Sequence, residues 1–130
     1  MNYVNTVTGP VAASELGRTL MHEHFLFGFC GFQGDATLGG FKEEEYTRDC
    51  LKAVDDARAY GINTIVDATT NECGRNVRFL KKISDMTGMN IICSTGYYFQ
   101  AESAYAYWNF RRGFANIEEE IYEMMVTELT

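Results

Sequence analysis

Gly61-Ile62-Asn63-Thr64-Ile65-Val66-Asp67-Ala68 is a short apolar run, rich in β-branched residues, with helical patterns on both sides. Runs of this length and composition fit a strand buried on both faces of a sheet. Upstream, Lys42 to Tyr60 reads as a helix, because Tyr46, Cys50, Ala53, Val54 and Ala57 recur at helical spacing and Gly61 supplies the stop. Downstream, a second helix begins at Asn71 or Gly74. Its inner face is Val77, Leu80, Ile83 and Met86, and Gly88 ends it. Asn90 to Thr95 then repeats the buried-strand pattern.

Working further outward, Arg18 to Phe25 reads as a strand that precedes the first helix. Tyr3–Val7 and Val11–Ala13, separated by Gly9-Pro10, suggest a small hairpin before it. Two stretches read as long loops: Gly28 to Gly40, rich in glycine, and Gly96 to Gly113, rich in aromatics. Ile117, Ile121, Met124 and Met125 mark a third helix. The order strand, helix, strand, helix, strand, helix places the chain in the α/β class with a parallel sheet. A small doubly wound sheet and the opening of an eight-stranded (β/α) barrel both satisfy it, and periodicity does not choose between them.

At 130 residues the chain reads as a single domain, residues 1–130. Its net charge of -7 argues against a nucleic-acid or anionic-membrane partner, since both call for clustered Lys and Arg. No apolar run approaches the ~18 residues of a membrane span. Met1 to Pro10 lacks the basic start and apolar centre of a signal peptide, so a cytoplasmic protein is expected. The four cysteines form no C-x-x-C pair, and a reducing compartment would keep them as thiols.

The sequence holds two histidines, His22 and His24, flanking Glu23 near the C-terminal end of the first parallel strand. Alternation points His22 and His24 to one face, with Cα atoms ~7 Å apart by two strand rises. Two imidazoles so placed can converge on one metal ion, but a catalytic zinc generally takes three protein ligands. Two inert, hydrogen-bonded histidines fit the same spacing equally well. The C-terminal end of a strand is where barrel active sites lie, and that favours the metal.

The words around the pair extend this. Gly9-Pro10-Val11 and Leu16-Gly17-Arg18-Thr19-Leu20-Met21-His22-Glu23-His24 resemble the opening of the phosphotriesterase family, within the amidohydrolase superfamily. The resemblance continues through Gly61 to Asn71, through Gly74-Arg75-Asn76-Val77-Arg78 and through Thr87 to Tyr98. It implies that the chain is the N-terminal three βα units of a (β/α)8 TIM barrel, preceded by the small hairpin. It implies a catabolic metal-dependent hydrolase in which a metal-bound hydroxide attacks a small-molecule ester, a phosphotriester or a lactone. The family's divalent metal, usually zinc and two ions per complete site, is held by a His-x-His pair on strand one, a carboxylated lysine, two further histidines and an aspartate. The pair carries over onto His22 and His24, and the other ligands have no counterparts in these 130 residues. By family analogy the assembly would be a homodimer.

The expectation is therefore a fragment of such a barrel with a partial metal site and no catalytic residue of its own, inactive alone. The competing readings are a non-catalytic α/β binding module and a truncated remnant. By the same resemblance Tyr97 and Tyr98, after the third parallel strand, would line the substrate pocket, although loop aromatics packing on neighbours is an equal reading. Asp67, near the end of its strand, is read as support for a metal-binding group from behind, or as a plain structural hydrogen-bond acceptor. Glu23 is expected to face the helices and to pair with a nearby cation or backbone donor, and Arg75 and Arg78 to form surface contacts or salt bridges.

Overall fold

A computed structural model describes residues 2–37, 39–98 and 104–129. β1 (Tyr3–Thr6) and β2 (Gly9–Ala12) form the expected antiparallel hairpin, with Tyr3 opposite Ala12 and Thr6 opposite Gly9. The hairpin is tied to the rest of the chain by the Val7 N–H, which donates to the Ile91 carbonyl at 2.9 Å.

β3 (Arg18–Glu23), β4 (Ile62–Asp67) and β5 (Asn90–Cys93) form a parallel sheet in the order β3-β4-β5. Between them run α1 (Glu43–Ala59) and α2 (Val77–Thr87). α1 begins with three glutamates, Glu43 to Glu45, which suit the positive end of a helix dipole. α2 is better defined at both ends. The Asn76 side chain accepts from the Phe79 N–H at 3.1 Å, and Gly88, at φ 69°, closes the helix by donating to the Ser84 carbonyl.

Both helices share one buried cluster with the sheet. Cys50 and Val54 of α1 and Phe79, Leu80 and Ile83 of α2 meet Ile62, Ile65 and Ile91, with Met89. Fully burying a large apolar side chain contributes about 1.5–3 kcal/mol, and Val54, Phe79, Leu80, Ile83, Met89 and Ile91 are all buried to within a few per cent. Strand order follows chain order, and α1 packs on α2. A doubly wound sheet reverses its strand order and moves its helices to the other face at the reversal. The observed arrangement is that of successive units of a (β/α) barrel.

Three expectations need correction. Val77 and Met86 were assigned to the inner face of α2 but are 46% and 54% exposed. The buried residues are Phe79, Leu80, Ile83 and Ser84, and at 3.6 residues per turn positions 77 and 86 both fall roughly 90° from the centre of that arc. The first parallel strand stops at Glu23, short of His24 and Phe25. The aromatic stretch after β5 contains a helix, α3 (Ala104–Arg111). Its apolar residues do not recur as a stripe. It is held by contacts four residues apart, such as Arg111 over the Tyr107 ring and Phe110 against Phe114. α4 (Ile117–Leu129) follows and buries no residue fully.

Candidate metal centre at the ends of β3 and β4

β3 and β4 do not pair evenly. Leu20 lies opposite Ile65 and Glu23 opposite Asp67, so three steps along β3 match two along β4. A bulge of this kind re-aims side chains and is common beside active sites. His22 lies within this irregular stretch and His24 just past it, and their rings meet edge to face, with centroids 5.2 Å apart and planes at 75°. Both residues are exposed. The two imidazoles are therefore brought together, although His24 lies one residue past the strand.

His24 is held from behind. Its Nδ1 lies 2.9 Å from Thr69 Oγ1, and Thr69 is 1% exposed. Its ring also packs edge to face on Phe27 at 5.2 Å, and Phe27 on Phe29 at 5.7 Å. Asp67, also 1% exposed, uses both carboxylate oxygens on backbone. Oδ2 accepts from the Phe25 N–H and Oδ1 from the Thr69 N–H, each at 2.9 Å. The carboxylate does not touch a histidine. It clamps the residue after His24 and the residue whose hydroxyl meets His24, which is support at one remove.

Two imidazoles suit a borderline divalent ion such as zinc. Among the described residues no group of three or more His, Cys, Asp or Glu side chains is placed to hold a metal. His22 and His24 fit as part of a ligand set, and further donors would have to come from elsewhere.

The remaining candidates stand apart from this pair. Tyr97 lines a cavity of about 510 Å³ with Cys30, Asn71, Glu72, Tyr107, Trp108 and Met124. Its hydroxyl accepts from Trp108 Nε1 at 2.7 Å and donates to Met124 Sδ at 3.3 Å. Burial pushes that phenol up from its ordinary pKa. Tyr98 is 65% exposed and forms no part of that cavity's wall. Neither histidine lines it. A smaller cleft of about 290 Å³ lies between β3 and α1, bounded by Glu23, His24, Tyr46, Asp49 and Cys50 among others. Glu23 thus faces the helical layer as expected, but among the described residues its carboxylate has no hydrogen bond or ion pair in support. The Cys50 thiol borders the same cleft. Burial, with Asp49 and Asp67 nearby, raises its pKa to about 11, so it is no nucleophile at neutral pH. Arg75 forms the salt bridge expected of it, with Glu128, and also donates to the Ser94 carbonyl at 2.8 Å.

Residues 2–130 match the model of the phosphotriesterase family. The chain belongs to that family. It is 32% identical over 100 residues to the aryldialkylphosphatase of Saccharolobus solfataricus, covering 76% of this chain and 31% of that protein. Among solved structures, an organophosphorus hydrolase from Deinococcus radiodurans superposes with a TM-score of 0.86 at 48% identity, over 94% of this chain and 37% of the other. A mutant of a phosphotriesterase-like lactonase from the same organism gives 0.85 at 47% identity, over 93% and 38%. The chain thus spans about a third of the length of the relatives it matches.

Within this phosphotriesterase-family chain, sequence reasoning missed Thr69 and Phe27. Thr69 sits two residues after Asp67, and nothing local marks its hydroxyl as a partner for a side chain 45 residues away. Phe27 follows His24 by three residues in a segment without regular periodicity, where spacing carries no directional information. No helix of the described residues is long and apolar enough to cross a membrane.

Proposed function

We propose that this chain forms the first part of a metal-dependent hydrolase that cleaves ester bonds in small molecules, phosphotriesters or lactones. The observation that carries this reading is the convergence of His22 and His24 at the C-terminal end of a barrel strand, with His24 braced by a buried hydroxyl. A bound divalent ion, zinc in the expected case, would supply Lewis-acid chemistry to the scissile bond.

The chain's own residues act on position and environment. His22 and His24 would supply two nitrogen ligands. Asp67 keeps the chain just after His24, and Thr69 behind it, in place through the Phe25 and Thr69 amides. The exposed rings of Phe27 and Phe29 offer apolar surface beside the pair, suited to the organic part of an ester. Tyr97 would contribute to the substrate pocket from a separate cavity, and Tyr98 from an exposed position outside that cavity's wall. Since the sequence holds two histidines, any further imidazole ligand lies outside residues 1–130. The chain by itself is expected to bind a metal ion weakly and to be inactive.

The test has two arms. Zinc or cobalt titrated into the chain should bind, and His22→Ala or His24→Ala should abolish binding. A chimera in which residues 2–130 replace the matching segment of the Deinococcus organophosphorus hydrolase should hydrolyse an aryl phosphotriester or a lactone, and lose that activity with His22→Asn. A folded, metal-loaded chimera that cleaves neither ester would refute the proposal.

A further inference from the structure

We propose that Thr69 is a positioning residue that fixes the tautomer of His24, keeping the proton on Nδ1 so that Nε2 presents its lone pair to a cation. The proposal deepens the reading of His22 and His24 as metal ligands and rests on it.

The argument is one of proton counting. A threonine hydroxyl has one proton to donate and accepts through its lone pairs. Thr69 Oγ1 has two polar neighbours, the Leu26 carbonyl oxygen at 3.3 Å and His24 Nδ1 at 2.9 Å. The carbonyl oxygen can only accept, and Leu26 is 4% exposed, so this oxygen needs a protein donor. The hydroxyl proton therefore goes to Leu26, and the shorter contact is His24 Nδ1–H donating to Oγ1. In a neutral imidazole the proton on Nδ1 leaves Nε2 as the acceptor.

Thr69 is itself held so that the hydroxyl has little freedom to choose otherwise. Its N–H donates to Asp67 Oδ1 at 2.9 Å, and its carbonyl accepts from Ser94 Oγ at 3.1 Å. The second oxygen of the same Asp67 carboxylate grips the Phe25 N–H, fixing the chain immediately after His24. The β-branched side chain is stiff at χ1, which adds to this restraint. His22 has no such brace: among the described residues its ring meets the His24 ring and makes no side-chain hydrogen bond. The two imidazoles thus enter metal binding differently, one already in a single tautomer and the other free to choose.

The experiment is long-range 1H–15N correlation spectroscopy on the metal-free chain with 15N-labelled histidine, at a pH about 1.5 units above the ordinary histidine pKa of ~6.5. In the unsubstituted chain, His24 should show a protonated Nδ1 and a lone-pair Nε2, while His22 shows averaged shifts. Thr69→Val keeps the shape and removes the hydroxyl, and should move His24 to averaged shifts. Thr69→Ser should restore the single tautomer. Zinc affinity of Thr69→Val should fall roughly 10- to 100-fold, the usual range for loss of a partner behind a ligand, and Thr69→Ser should recover most of it. A protonated Nε2 on His24 in the unsubstituted chain overturns the proposal without need of any variant. So does zinc binding of unchanged affinity in Thr69→Val, which would leave the ligand reading standing. A Thr69-dependent tautomer in a chain with no zinc affinity would overturn the ligand reading, and with it the proposed purpose of the clamp.

Discussion

At the ends of β3 and β4, polar contacts are made inside the molecule. Asp67 and Thr69 are each 1% exposed, and the groups they hold are mostly backbone: the Phe25 and Thr69 amides and the Leu26 carbonyl. At α3 and α4 the contacts are between side chains, most of them partly open to solvent. Arg111 pairs with Glu120 and Arg75 with Glu128, and α4 buries no residue fully. Both regions use charged groups to bring distant chain segments together. In the first, water cannot replace a lost partner, so every donor must be met within the protein. In the second, water and salt reach Arg111, Glu120 and the Glu128 carboxylate, so these pairs count for less, although the Arg75 side chain itself is only 9% exposed. If His22 and His24 hold a metal as proposed, they need the first kind of support, because ligand position must survive thermal motion.

The sharpest way to break this contrast is Asp67→Ala. It orphans two backbone amides at about 1–3 kcal/mol each, so the chain should lose roughly 2–6 kcal/mol in urea unfolding. A loss under 1 kcal/mol would mean that water reaches this site and that the two regions are alike.

A smaller effect is expected from pH at Glu128. Burial raises its carboxyl, but hydrogen bonds from Arg75 and Thr95 with the Arg75 charge outweigh that and leave it below its ordinary pKa. A depressed carboxylate stabilises the fold above the unfolded value of ~4.3, and that contribution is lost as pH falls through the folded value. The fluorescence of Trp108, the sole tryptophan, whose Tyr97 partner contacts Met124 on α4, should therefore change as pH falls below the ordinary carboxylate value. Glu128→Gln should flatten that change, and an identical transition in the variant would argue that Glu128 does not tether α4.

The smallest effect is expected from Arg111→Ala. Its pairing with Glu120 raises the guanidinium pKa and lowers the carboxyl's, but both side chains are partly open to solvent, which screens the pair. The melting temperature should be unchanged within error, and added salt should make no further difference. A clear drop would place α3 among the supports of the fold.

Much of the architecture was legible because it follows from local pattern. The hairpin, the three parallel strands and the two helices between them fall within a few residues of where periodicity and glycine stops put them. Val77 and Met86 were misplaced because spacings of three drift around a helix whose true period is 3.6. α3 escaped notice because its aromatics do not recur on one face. For the site, the pairing of His22 with His24 was visible in their spacing. The use of Asp67 was visible only as a class of role, and Thr69 not at all.

By itself the sequence determined the alternation of strands and helices, the family to which the chain belongs and the presence of two imidazoles at one strand end. The tertiary structure decided that strand order follows chain order with α1 against α2, that the pairing of β3 with β4 shifts register across the stretch that carries His22, and that Thr69 meets His24 across 45 residues of chain. The division has a physical reason. Periodicity and stop signals are properties of neighbours along the chain, whereas register, bulges and hydroxyl–imidazole contacts exist only after distant segments have packed.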